Sequence, residues 1–129
     1  MYNVTISSHF DAAHFIEGMN SPCARLHGHT WRVETTIRGN KINGLGLLVD
    51  FAWVKKMADE LIDKEFDHRC LNEMPGFEQV NPTAENIAEY LFWNFKLKVT
   101  EIGLELTNVR VYESGEAWVD YNDQQVSKM

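Results

Sequence analysis

Two segments with apolar residues at every second position constrain the fold of this chain most. Between residues 4 and 14 the apolar positions are even-numbered, namely Val4, Ile6, Phe10 and Ala12. Between residues 31 and 38 they are odd-numbered, namely Trp31, Val33 and Ile37. Because the side chains of a strand alternate between its two faces, each segment predicts a strand with one buried face. Gly39-Asn40 indicates a turn after the second strand, and we expect the two strands to pair in antiparallel orientation.

Two helices are predicted in the middle of the chain. Asp50 is a suitable N-cap for a helix that runs to about Lys64. Asn81 is expected to cap a second helix, with Pro82 in the first helical position and an end at residues 96–98. Each segment carries apolar residues at helical spacing, so each helix is expected to pack one face on a core.

A second pair of strands is predicted near the C-terminus. Residues 104–112 and 116–121 flank Ser114-Gly115, a sequence typical of a hairpin turn. The order strands, helix, helix, strands predicts an α+β fold in which two helices cover one face of an antiparallel sheet. Because the chain has no repeat or linker, residues 1–129 are expected to form a single domain.

Charge and hydropathy exclude several classes of protein. The formal net charge is −7, from 12 basic and 19 acidic residues, and no run of lysine and arginine occurs. We therefore expect no nucleic-acid partner and no anionic membrane as a partner. The sequence shows no leader-like start and no apolar run of membrane-spanning length, so a cytoplasmic location is expected. Cys23 and Cys70 are expected to be free thiols, and the polar tail from Asn122 onward is expected to fray.

Three of the five histidines fall on the apolar faces of the predicted strands. His14 shares the even parity of the first strand, and His27 and His29 share the odd parity of the second. A lone histidine on an apolar face is usually a hydrogen-bonded core residue, but three neighbouring imidazoles suit a zinc ion with a fourth position open. Cys23 lies in the preceding loop and is expected at the lip of the sheet. His9 has the opposite parity, which predicts a surface position.

Glu113 is a further polar residue expected on an apolar face. It shares its face with Val109 and Val111 of the predicted strand. A carboxylate in that position is costly unless it is paired. It therefore either lies past the sheet edge in solvent or faces a polar ligand.

Six short motifs follow one another along nearly the whole chain. They are Phe10-x-Ala12-Ala13-His14, Cys23-x-x-x-His27-Gly28-His29, Val49-Asp50-Phe51, Asp67-His68-x-x-Leu71-Asn72, Asn81-Pro82-Thr83-x-Glu85 and Glu113. Taken together and in this order, the motifs resemble those of the 6-pyruvoyl-tetrahydropterin synthase / 6-carboxy-tetrahydropterin synthase family, which has the tunnelling fold.

The resemblance implies a site and an assembly. By position, it implies zinc on His14, His27 and His29, proton transfer by Cys23 with the Asp67-His68 pair, pterin anchoring by Glu113, and a pterin pocket lined by Thr83 and Glu85. It also implies that the sheets of several subunits join into a barrel, that sites form between subunits, and that the protein is a homohexamer.

The spacing Cys-x-x-x-His-Gly-His, with Arg25-Leu26 inside it, resembles the bacterial 6-carboxy branch of the family. That branch implies conversion of 7,8-dihydroneopterin triphosphate to 6-carboxy-5,6,7,8-tetrahydropterin with release of acetaldehyde and triphosphate, in queuosine and 7-deazaguanine biosynthesis. One departure concerns Phe15-Ile16, where bacterial members often have Arg-Leu. The missing arginine removes a charge that would suit a triphosphate, and Arg25, Arg32 and Lys41 are basic residues that could compensate for it.

Three other functions stay open at this point. The first is the 6-pyruvoyl reaction, which eliminates triphosphate without loss of carbon. The second is a non-catalytic binding module with a structural zinc held by Cys23 and the three histidines. The third is a cupin-like oxygenase suggested by His27-x-His29-x-x-x-x-Glu34, although Glu34 has the opposite parity to both histidines.

Overall fold

The computed structural model describes residues 1–124 as five strands and two long helices. The strands are β1 (Tyr2–His14), β2 (His27–Gly39), β3 (Arg69–Cys70), β4 (Glu105–Ser114) and β5 (Ala117–Tyr121). The helices are α1 (Phe51–Glu65) and α2 (Ala84–Glu101), with short 3₁₀ turns at Pro22–Ala24 and Leu71–Glu73. Residues 125–129 of the polar tail lie outside the described residues.

The strands form one mixed sheet in the order β3-β1-β2-β4-β5. The predicted antiparallel pairing of β1 with β2 is confirmed, and β4 pairs antiparallel with both β2 and β5. The prediction of a purely antiparallel sheet is wrong, because β3 runs parallel to β1 beside Ala12 and Ala13. Two residues are too few to show an alternating pattern, so this short strand leaves no signal in the sequence.

The N-terminus of α1 is as predicted, and that of α2 is not. The side chain of Asp50 accepts a hydrogen bond from the backbone N–H of Ala52 and caps α1. In α2 the cap is Thr83, whose Oγ1 accepts from the N–H of Asn86. The side chain of Asn81 instead bonds the backbone of Glu17 in both directions, at 3.0 Å each. The helix also continues to Glu101, one turn beyond the predicted end.

The core lies between the two helices and one face of the sheet. The predicted parity is confirmed, because the even positions of β1 from Ser8 to His14 and the odd positions of β2 from Trp31 to Ile37 are buried. Trp31 is fully buried and donates its indole N–H to the carbonyl of Ala12. His9 is exposed on the opposite face, as predicted. Within residues 1–124, no helix is both long enough and apolar enough to cross a membrane.

Candidate active site

The β1–β2 hairpin brings the three predicted histidine ligands together. His14 is the last residue of β1 and lies directly opposite His27, the first residue of β2, while His29 lies opposite Ala12. The ring centroids of His14 and His27 are 4.6 Å apart, and those of His27 and His29 are 4.8 Å apart. The segment between the two strands therefore needs only to close the hairpin for the imidazoles to meet.

Backbone carbonyls orient two of these rings. Nδ1 of His14 lies 2.8 Å from the carbonyl of Pro82, and Nδ1 of His27 lies 2.6 Å from that of Arg25. A carbonyl can only accept, so each Nδ1 carries a proton, and the lone pair of each neutral ring is on Nε2. Burial lowers the pKa of His14 below its ordinary value, which favours the neutral imidazole that a metal ion requires.

Glu113 completes a group of four possible donors. Its Oε1 lies 3.0 Å from Nε2 of His29 and 3.8 Å from Nε2 of His14. One donor atom from each of the three histidines and Glu113 lies within 4.8 Å of the others. Among residues 1–124 neither of these two Nε2 atoms has a hydrogen-bond partner, although both atoms are buried. Buried imidazoles without partners that converge on one point, with a carboxylate beside them, fit a bound cation such as zinc.

Glu113 lies at a β-bulge, on the face of β4 that also carries the buried Val109 and Val111. In the β4–β5 ladder Tyr112 pairs with Trp118 and Ser114 with Ala117, so Glu113 is the extra residue on β4. Bulges of this kind redirect a side chain next to a site. The strand pattern allows Glu113 to point either to solvent or to a ligand, and the structure places it beside the histidines with 34% of its side chain exposed.

Cys23 lies in the same cavity but outside the group of four donors. The cavity has a volume of about 210 Å³ and is lined by His14, Ile16, Met19, Cys23, His27, Thr83, Ala84, Glu85 and Glu113. Among the described residues Cys23 does not belong to the candidate metal ligands, and it is a free thiol, as is Cys70. This arrangement does not favour the alternative in which Cys23 and three histidines form a closed structural zinc site.

The Asp67-His68 pair lies elsewhere on the chain. Nδ1 of His68 is 2.8 Å from Oδ2 of Asp67, and 78% of the His68 side chain is exposed. The backbone N–H of Asp11 donates to Oδ1 of Asp67 at 2.9 Å, and together with His68 it holds the pKa of Asp67 below its ordinary value. The backbone N–H of His68 also donates to the carbonyl of Asp11, so the pair lies along the outer edge of β1, next to β3.

The cavity beside His68 is separate from the one that contains Cys23. It has a volume of about 760 Å³ and is lined by Lys64, Glu65, His68, Arg69, Cys70, Glu73, Met74 and Pro75. None of the three histidines of the candidate donor group borders it. Within a single copy of the described chain, the predicted catalytic residues are therefore divided between two places.

Two asparagines that the sequence analysis did not assign to the site hold its frame. The side-chain amide of Asn72 bonds the backbone N–H and carbonyl of Phe15, and Asn81 does the same for Glu17. Both amides thereby hold the backbone that follows β1, and the bonds of Asn81 keep the segment with the Pro82 carbonyl beside His14. The positions of the two asparagines within the motifs indicate that they matter. The sequence cannot indicate the role of the Pro82 carbonyl, because every residue has a carbonyl.

A family model described as 6-pyruvoyl tetrahydropterin synthase matches residues 3–124. The chain belongs to this family. A relative from Rickettsia felis named 6-carboxy-5,6,7,8-tetrahydropterin synthase is 33% identical, over 93% of this chain and 99% of its own length. A human relative named 6-pyruvoyl tetrahydrobiopterin synthase is 34% identical, over 76% of this chain and 67% of its own.

The fold agrees with solved structures of the same family. The chain superposes on the 6-pyruvoyl tetrahydropterin synthase of Caenorhabditis elegans with a TM-score of 0.80 and 26% identity, over 96% of this chain and 98% of that one. Members of the family are tetrahydropterin synthases, so this chain is an enzyme of that kind, which does not favour the cupin-like and non-catalytic alternatives.

Proposed function

We propose that this protein is a zinc-dependent 6-carboxy-5,6,7,8-tetrahydropterin synthase. It converts 7,8-dihydroneopterin triphosphate to 6-carboxy-5,6,7,8-tetrahydropterin, releases acetaldehyde and triphosphate, and serves queuosine and 7-deazaguanine biosynthesis in the cytoplasm. The observation that carries the proposal is the convergence of His14, His27, His29 and Glu113 on one point, beside a cavity that three of them line together with the free thiol of Cys23. The name of the Rickettsia felis relative supports the choice of the carboxy branch.

Each residue of the cavity has a role that its surroundings support. A zinc ion held by the three histidines would supply a Lewis acid that makes the substrate's side-chain hydroxyls more acidic. Cys23 is the general base that removes a proton from the neighbouring carbon. Glu113 accepts hydrogen bonds from the 2-amino and ring N–H groups of the pterin, while Thr83 and Glu85 line the pocket.

The Asp67-His68 pair completes the proposed site from a neighbouring copy of the chain. The cavity of one copy, at about 210 Å³, is smaller than the roughly 300–1,000 Å³ of most small-molecule sites. His68 is exposed, and Asp67 orients its ring through Nδ1. In the proposed homohexamer, with its sheets joined into a barrel, this ring relays a proton in the neighbour's cavity.

The decisive experiment is a product analysis. Purified, zinc-loaded protein is incubated with 7,8-dihydroneopterin triphosphate, and the products are identified by mass spectrometry, with acetaldehyde trapped as a hydrazone. We expect 6-carboxy-5,6,7,8-tetrahydropterin, acetaldehyde and triphosphate in equal amounts. Unchanged substrate would contradict the proposal.

A second candidate function is the 6-pyruvoyl reaction. It is favoured by the human relative and by the Caenorhabditis elegans structure, both of which carry that name. The same experiment separates the two functions, because 6-pyruvoyl-tetrahydropterin retains all side-chain carbons and no acetaldehyde is released.

A further inference from the structure

We infer that Glu113 is a fourth protein ligand of the metal in the substrate-free enzyme, and that a bound pterin draws it off the metal. The inference deepens the proposed function and rests on its metal site and on its pterin-binding role for Glu113. On this inference, the fourth coordination position of the metal becomes open only when the substrate binds. The resting site is then closed by the residue that recognises the substrate.

The distances around Glu113 are those of a ligand set. Two donors on a tetrahedral zinc ion, each about 2.0–2.1 Å from the metal, are about 3.3 Å apart. The Oε1 atom of Glu113 lies 3.0 Å from Nε2 of His29 and 3.8 Å from Nε2 of His14, on either side of that value. The two distances to Glu113 thus bracket the spacing of a tetrahedral site, and all four donor atoms lie within 4.8 Å of one another. In such a site the carboxylate would take the place of a water or substrate oxygen.

The neighbourhood of Glu113 also permits it to leave. Among the described residues its carboxylate has no cationic partner other than the two histidines, and no lysine or arginine holds it in place. It sits on a bulge next to the β4–β5 turn, where the ladder is interrupted. The histidines, in contrast, lie in the ladder of β1 and β2, and the rings of His14 and His27 are fixed by carbonyls.

The exchange requires that a pterin compete for the same oxygen atoms. A carboxylate can accept two parallel hydrogen bonds from adjacent N–H groups, and a pterin offers such a pair. Since a ligand shifts an equilibrium only by its different affinity for the two states, the pterin must bind more tightly to the released carboxylate than to the metal-bound one. The substrate therefore opens the fourth position as it docks.

The test uses Co²⁺ as a spectroscopic substitute for zinc in the full-length protein. Three proteins are compared: wild type, Glu113→Gln and Glu85→Gln. The last is the matched control, because Glu85 lines the same cavity and the substitution removes the same charge, but Glu85 is not among the four donors. Circular dichroism confirms folding, and Glu113→Asp, a shorter carboxylate, serves as a second variant with a displaced ligand atom.

Two readouts are independent of catalysis. Competition with a chelator measures the Co²⁺ dissociation constant, which we expect to rise at least ~10-fold in Glu113→Gln and to stay near wild type in Glu85→Gln, because loss of even an outer-shell partner costs that much. Visible absorption reports the coordination of Co²⁺. Addition of 6-methylpterin, which lacks the hydroxylated side chain, should change this spectrum in wild type and not in Glu113→Gln.

The possible results separate this inference from the proposed function. Equal Co²⁺ affinity and spectra in wild type and Glu113→Gln would overturn it, and the 3.0 Å contact would then be an ordinary contact with His29. A Glu113-dependent spectrum that 6-methylpterin leaves unchanged would overturn the exchange. If the ligand results hold and 7,8-dihydroneopterin triphosphate is not converted, the proposed function fails and the metal assignment stands.

Discussion

The histidines of this chain show how the surroundings of a side chain decide its chemistry. His9 and His14 lie on the same strand, but His9 is exposed and His14 is buried against Trp31, with ring centroids 4.9 Å apart. The ring of His14 cannot turn without losing the bond to Pro82. An imidazole fixed in this way is a ready metal ligand, whereas an exposed one would lose side-chain entropy on binding.

At the same scale, Cys23 and Cys70 allow a direct test of the proposed base. We expect Cys23→Ala to lower turnover by about 10²–10⁴, the usual contribution of a positioned proton-transfer group. Its zinc content should stay at wild type, because the thiol lies outside the donor group. Steady-state kinetics and metal analysis of the same preparation provide both measurements.

The control for that substitution is Cys70→Ala, which removes the other thiol from a different cavity. It should retain both turnover and zinc. Loss of zinc from Cys23→Ala would return support to the structural-site alternative. Full turnover with full zinc would leave no proton-transfer role for the thiol.

At the scale of elements, the structural features that follow a periodic residue pattern could be predicted from the sequence, and the features without a periodic pattern could not. The parity of β1 and β2 predicted which face is buried and that His14, His27 and His29 share it, because a two-residue period extends over both strands. The pairing of β3 with β1, and the choice of Thr83 as the N-cap of α2, depend on the path that the chain takes after α1. The hydrogen bonds between Asn81 and Glu17 join residues far apart in sequence. The local sequence pattern could not show them, so Asn81 was wrongly predicted to be the N-cap of α2.

The turn between α1 and β3 gives an element-scale prediction about pH. Since the pKa of Asp67 lies below its ordinary value of 3.8, its ionised form is favoured in the folded state. This contribution to stability is present above the unfolded-state pKa and is lost as the pH falls below 3.8 and through the lower folded-state pKa. Asp67→Asn should therefore be less stable than wild type at pH 7, and the two should converge in acid.

The measurement is urea unfolding of metal-free protein at a series of pH values. Asp63→Asn is the control, because Asp63 is exposed on α1 and its substitution removes the same charge. Its stability should follow wild type across the whole series, including any loss caused by protonation of buried histidines. A constant difference between Asp67→Asn and wild type would show that Asp67 contributes through its hydrogen bonds alone.

At the scale of the whole molecule, residues 1–124 leave one face of the sheet and the N-terminal part of β1 uncovered. Both helices pack on the face that carries the histidines. The other face is polar and internally paired, with Arg110 bound to Asp120, Arg38 bound to Glu105, and Arg32 stacked on Tyr112. In the described structure the outer side of β1 pairs only with β3, at Ala12 and Ala13, so its N-terminal part is an open edge. An open edge of this length is a template for another strand, which supports the proposed barrel.

Because Cys23 and His68 lie in separate cavities of one chain, the proposed site requires two copies, and this can be tested by complementation. Neither Cys23→Ala nor His68→Ala is expected to show detectable turnover at the protein concentration used to assay wild type. When the two are co-expressed and assemble at random, about one quarter of the sites should receive Cys23 from one copy and His68 from its neighbour, and the activity should recover to that extent. Co-expression of Cys23→Ala with the double variant Cys23→Ala/His68→Ala is the control, since no assembly of those chains contains the thiol. If the mixed oligomers are no more active than either parent, both residues act within one chain, and the exposed ring of His68 must then be brought to its own cavity by a movement of residues 66–70.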